Sequence, residues 1–257
     1  MRLFSGSSPD HLKIPRSFLT RRGGTMYIDL NHFLCGRRWL LRTFPFPHVL
    51  ADDVFTPALH RQLADEFRDL LRASGGHEFE RKMRGFEATG HGFRPGYRGA
   101  FDVFFSNEFR QLISTVFDTS LTFDVDAGLH HHEPDARSGH IHNDLNPGWF
   151  PARAADASPE EAMNLSDPSR CDYRNGKIRK SGVEGVERVR AVALLYYLNN
   201  GPWIPGNGGE TGLYLDRTLP VLEPTLLVPR RRTRSSPSSA RLAPSTPIWK
   251  VAYRATP

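Results

Sequence analysis

The residues of this chain best suited to chemistry are crowded into Leu129 to Phe150, LHHHEPDARSGHIHNDLNPGWF, which holds five of the eleven histidines. Near its end His142 and Asp144 stand two residues apart. Alternate residues of a strand share a face. One imidazole nitrogen and one carboxylate oxygen leaving a strand end together therefore form two corners of a 2-His-1-carboxylate triad. That donor set holds a non-haem Fe(II) with positions open for O2 and a co-substrate. No histidine follows His142, so the third corner is missing where it is expected. His140, two residues earlier and so on the same strand face, is the one nearby substitute ligand.

Taken alone, H-x-D is a short pattern, and its plain alternative is a histidine capped by an aspartate at a turn. The triplet His130-His131-His132 also has two readings. On a strand, His130 and His132 share one face and His131 takes the other; they are either functional donors or neutral imidazoles hydrogen-bonded within or at the rim of a barrel. His140-Ile141-His142-Asn143-Asp144 is also HxHxD, the beginning of a metallo-β-lactamase-like zinc hydrolase signature. That signature continues with histidine where this chain has Leu145, and it needs later histidines and alternating αβ layers.

The elements that must position these residues lie on both sides. Leu121 to Ala127 alternates apolar and polar and runs as a strand towards the histidines. Arg188 to Leu198 (RVRAVALLYYL) predicts a buried central strand, with Tyr196 and Tyr197 read as core, and Asn199 to Pro202 a turn. Glu210 to Leu215, opened by Gly208-Gly209, and Pro224 to Val228 predict two more strands. Helices come first in the chain. Thr56-Pro57 is a hydroxyl N-cap followed by proline at the first helical position. Leu59, Leu63, Phe67, Leu70 and Leu71 follow on one face, and Ser74-Gly75-Gly76 ends the helix. A second helix starts at Ser106, with Phe109, Leu112, Ile113, Val116 and Phe117 inside. Another is predicted from Asn31, where Phe33, Leu34, Leu40, Leu41 and Phe44 recur at helical spacing; Phe46 to Leu50 then opens a short strand. Residues 77–100 read as a loop. Residues 150–187 read as polar and irregular apart from a helix start at Ser158-Pro159-Glu160-Glu161, and serve as a substrate lid or a tolerated insertion. Helices followed by short strands and turns make a mainly β protein with supporting helices, a sandwich or jelly roll.

Three blocks carry a resemblance: LHHHEPDARSGHIHNDLNPGWF, RAVALLYYLNNGPWIPGNGGETGLYL, and the Phe46-Pro47-His48 stretch with Asp52-Asp53 and the Thr56 helix. Together they resemble the bacterial prolyl-4-hydroxylase-like branch of the Fe(II)/2-oxoglutarate-dependent oxygenases, from Met26 to Val228. The resemblance implies a double-stranded β-helix (jelly-roll) core, Fe(II), 2-oxoglutarate and O2, and admits ascorbate. It implies hydroxylation of a prolyl residue or a small molecule, with release of CO2 and succinate. By motif match His142 and Asp144 are iron ligands. With a one-residue insertion allowed, His132 falls where the family often has a tyrosine that hydrogen-bonds 2-oxoglutarate. The family pattern closes with a distal histidine and then an arginine or lysine that pairs with the far carboxylate. The matching region, Arg230 to Pro257, has no histidine and no strand-like setting for Arg241 or Arg254, so neither role is carried over. A catalytically dead jelly roll used for binding, or a frameshifted oxygenase remnant, therefore stands beside the active enzyme.

Charge narrows the partners. The net charge of +6 is unevenly placed: residues 1–25 and 230–257 together hold +11, leaving −5 for the body between them. A nucleic-acid surface would put its basic residues on the folded face, so no nucleic-acid partner is expected. No apolar run reaches the roughly 20 residues of a membrane span, so no membrane partner is expected either. Cys35 and Cys171 are too few for a disulfide framework and fit a reducing, cytoplasmic setting. The expected organisation is a disordered basic extension at 1–25, an oxygenase domain at 26–228, and a low-complexity basic tail at 229–257 that leaves the jelly roll incomplete. Pro229 to Pro247, almost all Arg, Ser, Pro, Thr and Ala, is expected to give the core no strand. So abrupt a loss of pattern, ligand and anchor reads as a shifted reading frame.

Overall fold

The computed structural model describes residues 19–22, 25–35, 39–73, 88–132, 141, 148–152, 163–166, 171–172, 177–178, 185–198, 209–215, 223–228 and 246–255. In chain order, β1 (Leu19–Arg22) and β2 (Thr25–Ile28) form one hairpin, and β3 (Trp39–Arg42) and β4 (His48–Ala51) another. Then come α1 (Pro57–Ala73), β5 (Ala88–Gly92), α2 (Asn107–Phe117) and the long β6 (Leu121–His132). After β7 (Gly148–Pro151), the short β8 (Asn164–Leu165), β9 (Cys171–Asp172) and β10 (Lys177–Ile178) lead to the long β11 (Gly185–Tyr197). The chain closes with β12 (Thr211–Leu213), β13 (Leu226–Val228) and β14 (Thr246–Ala255). The protein is mainly β with supporting helices, and no barrel closes among the described residues.

The main sheet runs β5-β6-β14-β11-β7, with β8 also paired to β6. β6, β14 and β11 are antiparallel over long registers, from Thr246 opposite His132 to Ala255 opposite Leu121 on one side, and from Tyr197 opposite Ile248 to Val189 opposite Ala255 on the other. β12 pairs β13 antiparallel, from Thr211 opposite Val228 to Leu213 opposite Leu226, and both fall within the two late strands that the sequence predicts.

β14 corrects the expectation for the C-terminal segment. The stretch ending at Pro247 is low in complexity, but Thr246–Ala255 is a strand at the centre of the sheet, with Arg254 opposite Arg190. In TPIWKVAYRA, Trp249, Val251 and Tyr253 recur at every second position, and half of the residues are β-branched or aromatic. Two long strands that each lack a partner on one side provide the backbone donors and acceptors such a segment needs.

The two long helices form as their end signals predict. Thr56 Oγ1 accepts from Leu59 N at 3.4 Å and Ser106 Oγ accepts from Phe109 N at 3.1 Å, each satisfying a first-turn donor. Leu59, Leu63 and Phe67 of α1 and Phe109 and Ile113 of α2 are buried. The helix expected from Asn31 does not form. A single 3-10 turn at Leu30–His32 is followed by β3, because Arg42-Thr43-Phe44-Pro45-Phe46-Pro47 cannot continue a helix and instead turns β3 back on β4. The loop expected at 77–100 includes β5, which docks on the histidine end of β6. Residues 150–187 include four short strands or parts of them, and Ser158-Pro159-Glu160-Glu161 and Asn199 to Pro202 lie outside the described residues.

The core lies between the helices and one face of the sheet. Phe55, Phe104 and Phe109 pack with centroids 5.1–6.1 Å apart, and Val125, Ala127 and Leu129 of β6 close the layer. Each fully buried ring contributes about 1.5–3 kcal/mol. α1 is tied down by Glu66, whose carboxylate accepts from the Tyr97 hydroxyl and from Ala100 N at 2.5 Å. Beside it Asp102 accepts from Gly99 N at 3.3 Å. Burial is the main cause that pushes Asp102 up from 3.8 to about 6, with Glu66 adding to it. Because the folded state holds this proton more tightly than the unfolded chain, stability falls as pH rises from 3.8 to about 6 and stays reduced above that. Asp102→Asn keeps an acceptor for Gly99 N without the charge. Its melting temperature should exceed that of the unaltered chain at pH 7 and converge with it near pH 4; a constant difference across that range would rule the titration out.

Candidate functional site

β6 sorts its histidines by strand alternation. Val125, Ala127, Leu129 and His131 face the helices, where His131 is buried with its ring 6.3 Å from Phe67. His130 and His132 thus occupy the opposite face, as the pattern predicted. On that face β5 sets Ala88 opposite His132, Gly90 opposite His130 and Gly92 opposite Gly128, so small residues flank both imidazoles. Gly128 is required by close approach: a Cβ there would lie 2.9 Å from the His91 carbonyl oxygen. Any side chain at 128 pushes β5 away from the histidines.

Across the sheet His130, Ile248 and Tyr197 stand in one row. Tyr197 therefore faces the same way as His130 and His132, and its hydroxyl is hydrogen-bonded to Thr211 of β12. That bond joins the β12–β13 hairpin to the histidine end of the main sheet. Burial raises the Tyr197 pKa, against a smaller opposing effect of Thr211. Burial, helped by His131, lowers that of His132. Both groups are thus neutral at neutral pH and able to donate a hydrogen bond to an anion.

Further along this face lies an ion pair. Asp124 is 4% exposed; its Oδ2 accepts from Arg188 Nε at 2.8 Å and from Thr122 Oγ1 at 2.9 Å, and its Oδ1 accepts from Asn164 Nδ2 at 2.7 Å. Ser166 donates to Asp126 Oδ1 at 3.0 Å and, through its backbone N, to Val125 O at 2.9 Å. These bonds fasten residues 163–166 and β11 to β6.

On the helix side His60 Nδ1 lies 2.8 Å from the Tyr196 hydroxyl, whose ring packs on Phe55 and Phe104. Burial lowers the His60 pKa, with Asp53 opposing, and raises that of Tyr196. Tyr196 is thus core, as expected, whereas Tyr197 belongs to the candidate site. A surface cavity of about 400 Å³ opens between Asn31 and α2, lined by Glu108, Gln111 and Thr115, and reaches none of the β6 histidines.

Of the residues singled out by sequence, His132 stands on the described face, whereas His140, His142 and Asp144 lie outside the described residues. Among the described residues no three His, Cys, Asp or Glu side chains come together as a metal site. They do not by themselves make an iron centre. Sequence reasoning missed Tyr197 as a face-mate of His130, and the Asp124–Arg188 pair. The alternation of β11 could have separated Tyr197 from Tyr196; nothing local announces a pair 64 residues apart.

Comparisons with protein-family models, with curated proteins and with solved structures return no match. Among the described residues no helix is long and apolar enough to cross a membrane.

Proposed function

We propose that this chain is an Fe(II)- and 2-oxoglutarate-dependent dioxygenase of the prolyl-4-hydroxylase-like type, built on a jelly-roll core and acting on a prolyl residue or a small molecule. The observation that most supports this reading is the placement of the resembling blocks. Two of the three begin on β6 and β11, which flank one strand and turn His130, His132 and Tyr197 to the face away from the helices. In this reading His142 and Asp144, on the connection after β6, hold the metal, with His140 as substitute third ligand. An iron held there would supply the activation of O2 that such a hydroxylation requires. The neutral His132 imidazole presents an N–H to a 2-oxoglutarate carboxylate oxygen, and Tyr197, in the neighbouring row with His130, presents a second polar contact on the same face. The absence of any histidine after His142 favours a second reading, a jelly roll that binds metal or ligand without turnover.

The deciding measurement is succinate formation from 2-oxoglutarate by the full chain with added Fe(II), paired with Fe(II) or Mn(II) loading. Succinate should form, and both succinate and metal loading should fall sharply in His142→Ala and in Asp144→Ala. Loading without succinate selects the second reading. Unchanged loading in both variants removes the metal assignment altogether.

A further inference from the structure

On the helix side of the sheet, α1 and β11 bring together a phenol and an imidazole that the proposed reaction does not use. His60 Nδ1 lies 2.8 Å from the Tyr196 hydroxyl, across 136 positions of chain. The Tyr196 ring packs edge-on to Phe55 at 5.4 Å and on Phe104 at 5.7 Å, two rings that carry no exchangeable hydrogen. Burial disfavours charge on both members of the pair, so phenol and imidazole are neutral at neutral pH. A neutral imidazole has one N–H and one bare nitrogen. With its proton on Nε2, His60 accepts from the phenol through Nδ1.

The surroundings select how this phenol can lose its proton. Loss of the proton alone leaves a phenolate, which burial and the Asp53 charge both oppose. Loss of an electron together with the proton leaves a neutral phenoxyl, and the one new charge is an imidazolium on His60. Asp53 favours that imidazolium, pulling the His60 pKa up against burial by more than Arg61 pushes it down. The setting that resists acid ionisation of Tyr196 therefore assists its one-electron oxidation. Tyr197, the next residue of β11, stands in the row of His130 on the other face, so one peptide link separates the pair from the candidate site. We infer that Tyr196 is a redox-active tyrosine that gives one electron to a metal-centred oxidant and its proton to His60 Nδ1. The O–H bond of Tyr196 breaks, an N–H bond forms on His60, and the oxidant is reduced by one electron. Only the origin of that oxidant in the protein rests on the oxygenase reading; the pair does not.

The test photo-oxidises the full chain, with no iron added, using a ruthenium tris-bipyridine complex and persulfate, and reads the tyrosyl radical by electron paramagnetic resonance. Supplying the oxidant in this way keeps the result separate from succinate formation. Of the seven tyrosines, Tyr196 should give the long-lived signal, which Tyr196→Phe removes. His60→Gln keeps a polar side chain beside the phenol but takes no proton, and the yield should fall by roughly tenfold, on the low side of what a positioned proton acceptor contributes. Consumption of the oxidant should slow in D2O for the unaltered chain and much less for His60→Gln. Tyr196→Phe keeps the ring that packs on Phe55 and Phe104, so it carries the test if His60→Gln does not melt cooperatively. A signal of the same yield and lifetime in Tyr196→Phe, or in a folded His60→Gln, overturns the inference. So does the absence of a solvent isotope effect in the unaltered chain.

Discussion

A chain ended after Val228 is expected to lose its cooperative unfolding transition. β14 lies between β6 and β11 and pairs with both along most of their length. Without it the main sheet separates into β5–β6 with β8 and β11–β7, and the inward edges of β6 and β11 stand open. Buried backbone groups without partners and exposed strand edges favour unfolding and aggregation. Val251→Pro in the full chain should act in the same direction, because proline in a central strand removes a ladder donor. Thermal melting by circular dichroism, with light scattering, is the check. A truncated chain that melts as sharply and as late as the full one would show that residues 246–255 do not belong to the sheet.

The second large effect is expected at the buried ion pair. Arg188→Ala leaves the Asp124 carboxylate, 4% exposed, without the guanidinium that lies 2.8 Å from it. Stranding one member of a buried pair costs about 3–5 kcal/mol, most of it the penalty of an uncompensated charge. Thr122 and Asn164 still donate to the carboxylate, so the residual loss belongs to the charge and not to empty lone pairs. Asp124→Asn in the Arg188→Ala background should therefore restore part of the stability, although it is destabilising alone. Guanidinium denaturation of the four proteins measures the coupling. An Arg188→Ala loss below about 1 kcal/mol would place the pair among surface ion pairs of little weight.

The local features of this chain were legible where one residue type does one job at one position. Thr56-Pro57 and Ser106 start the helices because a hydroxyl satisfies a first-turn donor, and the apolar stripe of each helix predicts its buried face. Strand alternation predicted that His130 and His132 part from His131, and the burial of His131 against Phe67 follows from it. Periodicity failed where two periods compete over a short span. Phe33 to Phe44 satisfies a helical spacing, but Pro45 and Pro47 close the hairpin instead. What the tertiary structure alone decided is long in range. A ten-residue segment after a low-complexity stretch becomes a central strand because β6 and β11 leave it a place, and that place is invisible to any local window. Tyr197 gains its position by standing in register with His130 across that same strand, and Asp124 gains Arg188 from 64 residues away. Local sequence determines how a backbone turns and which side of an element is apolar. Pairing across the sheet depends on which edges remain unsatisfied once the rest of the chain has folded.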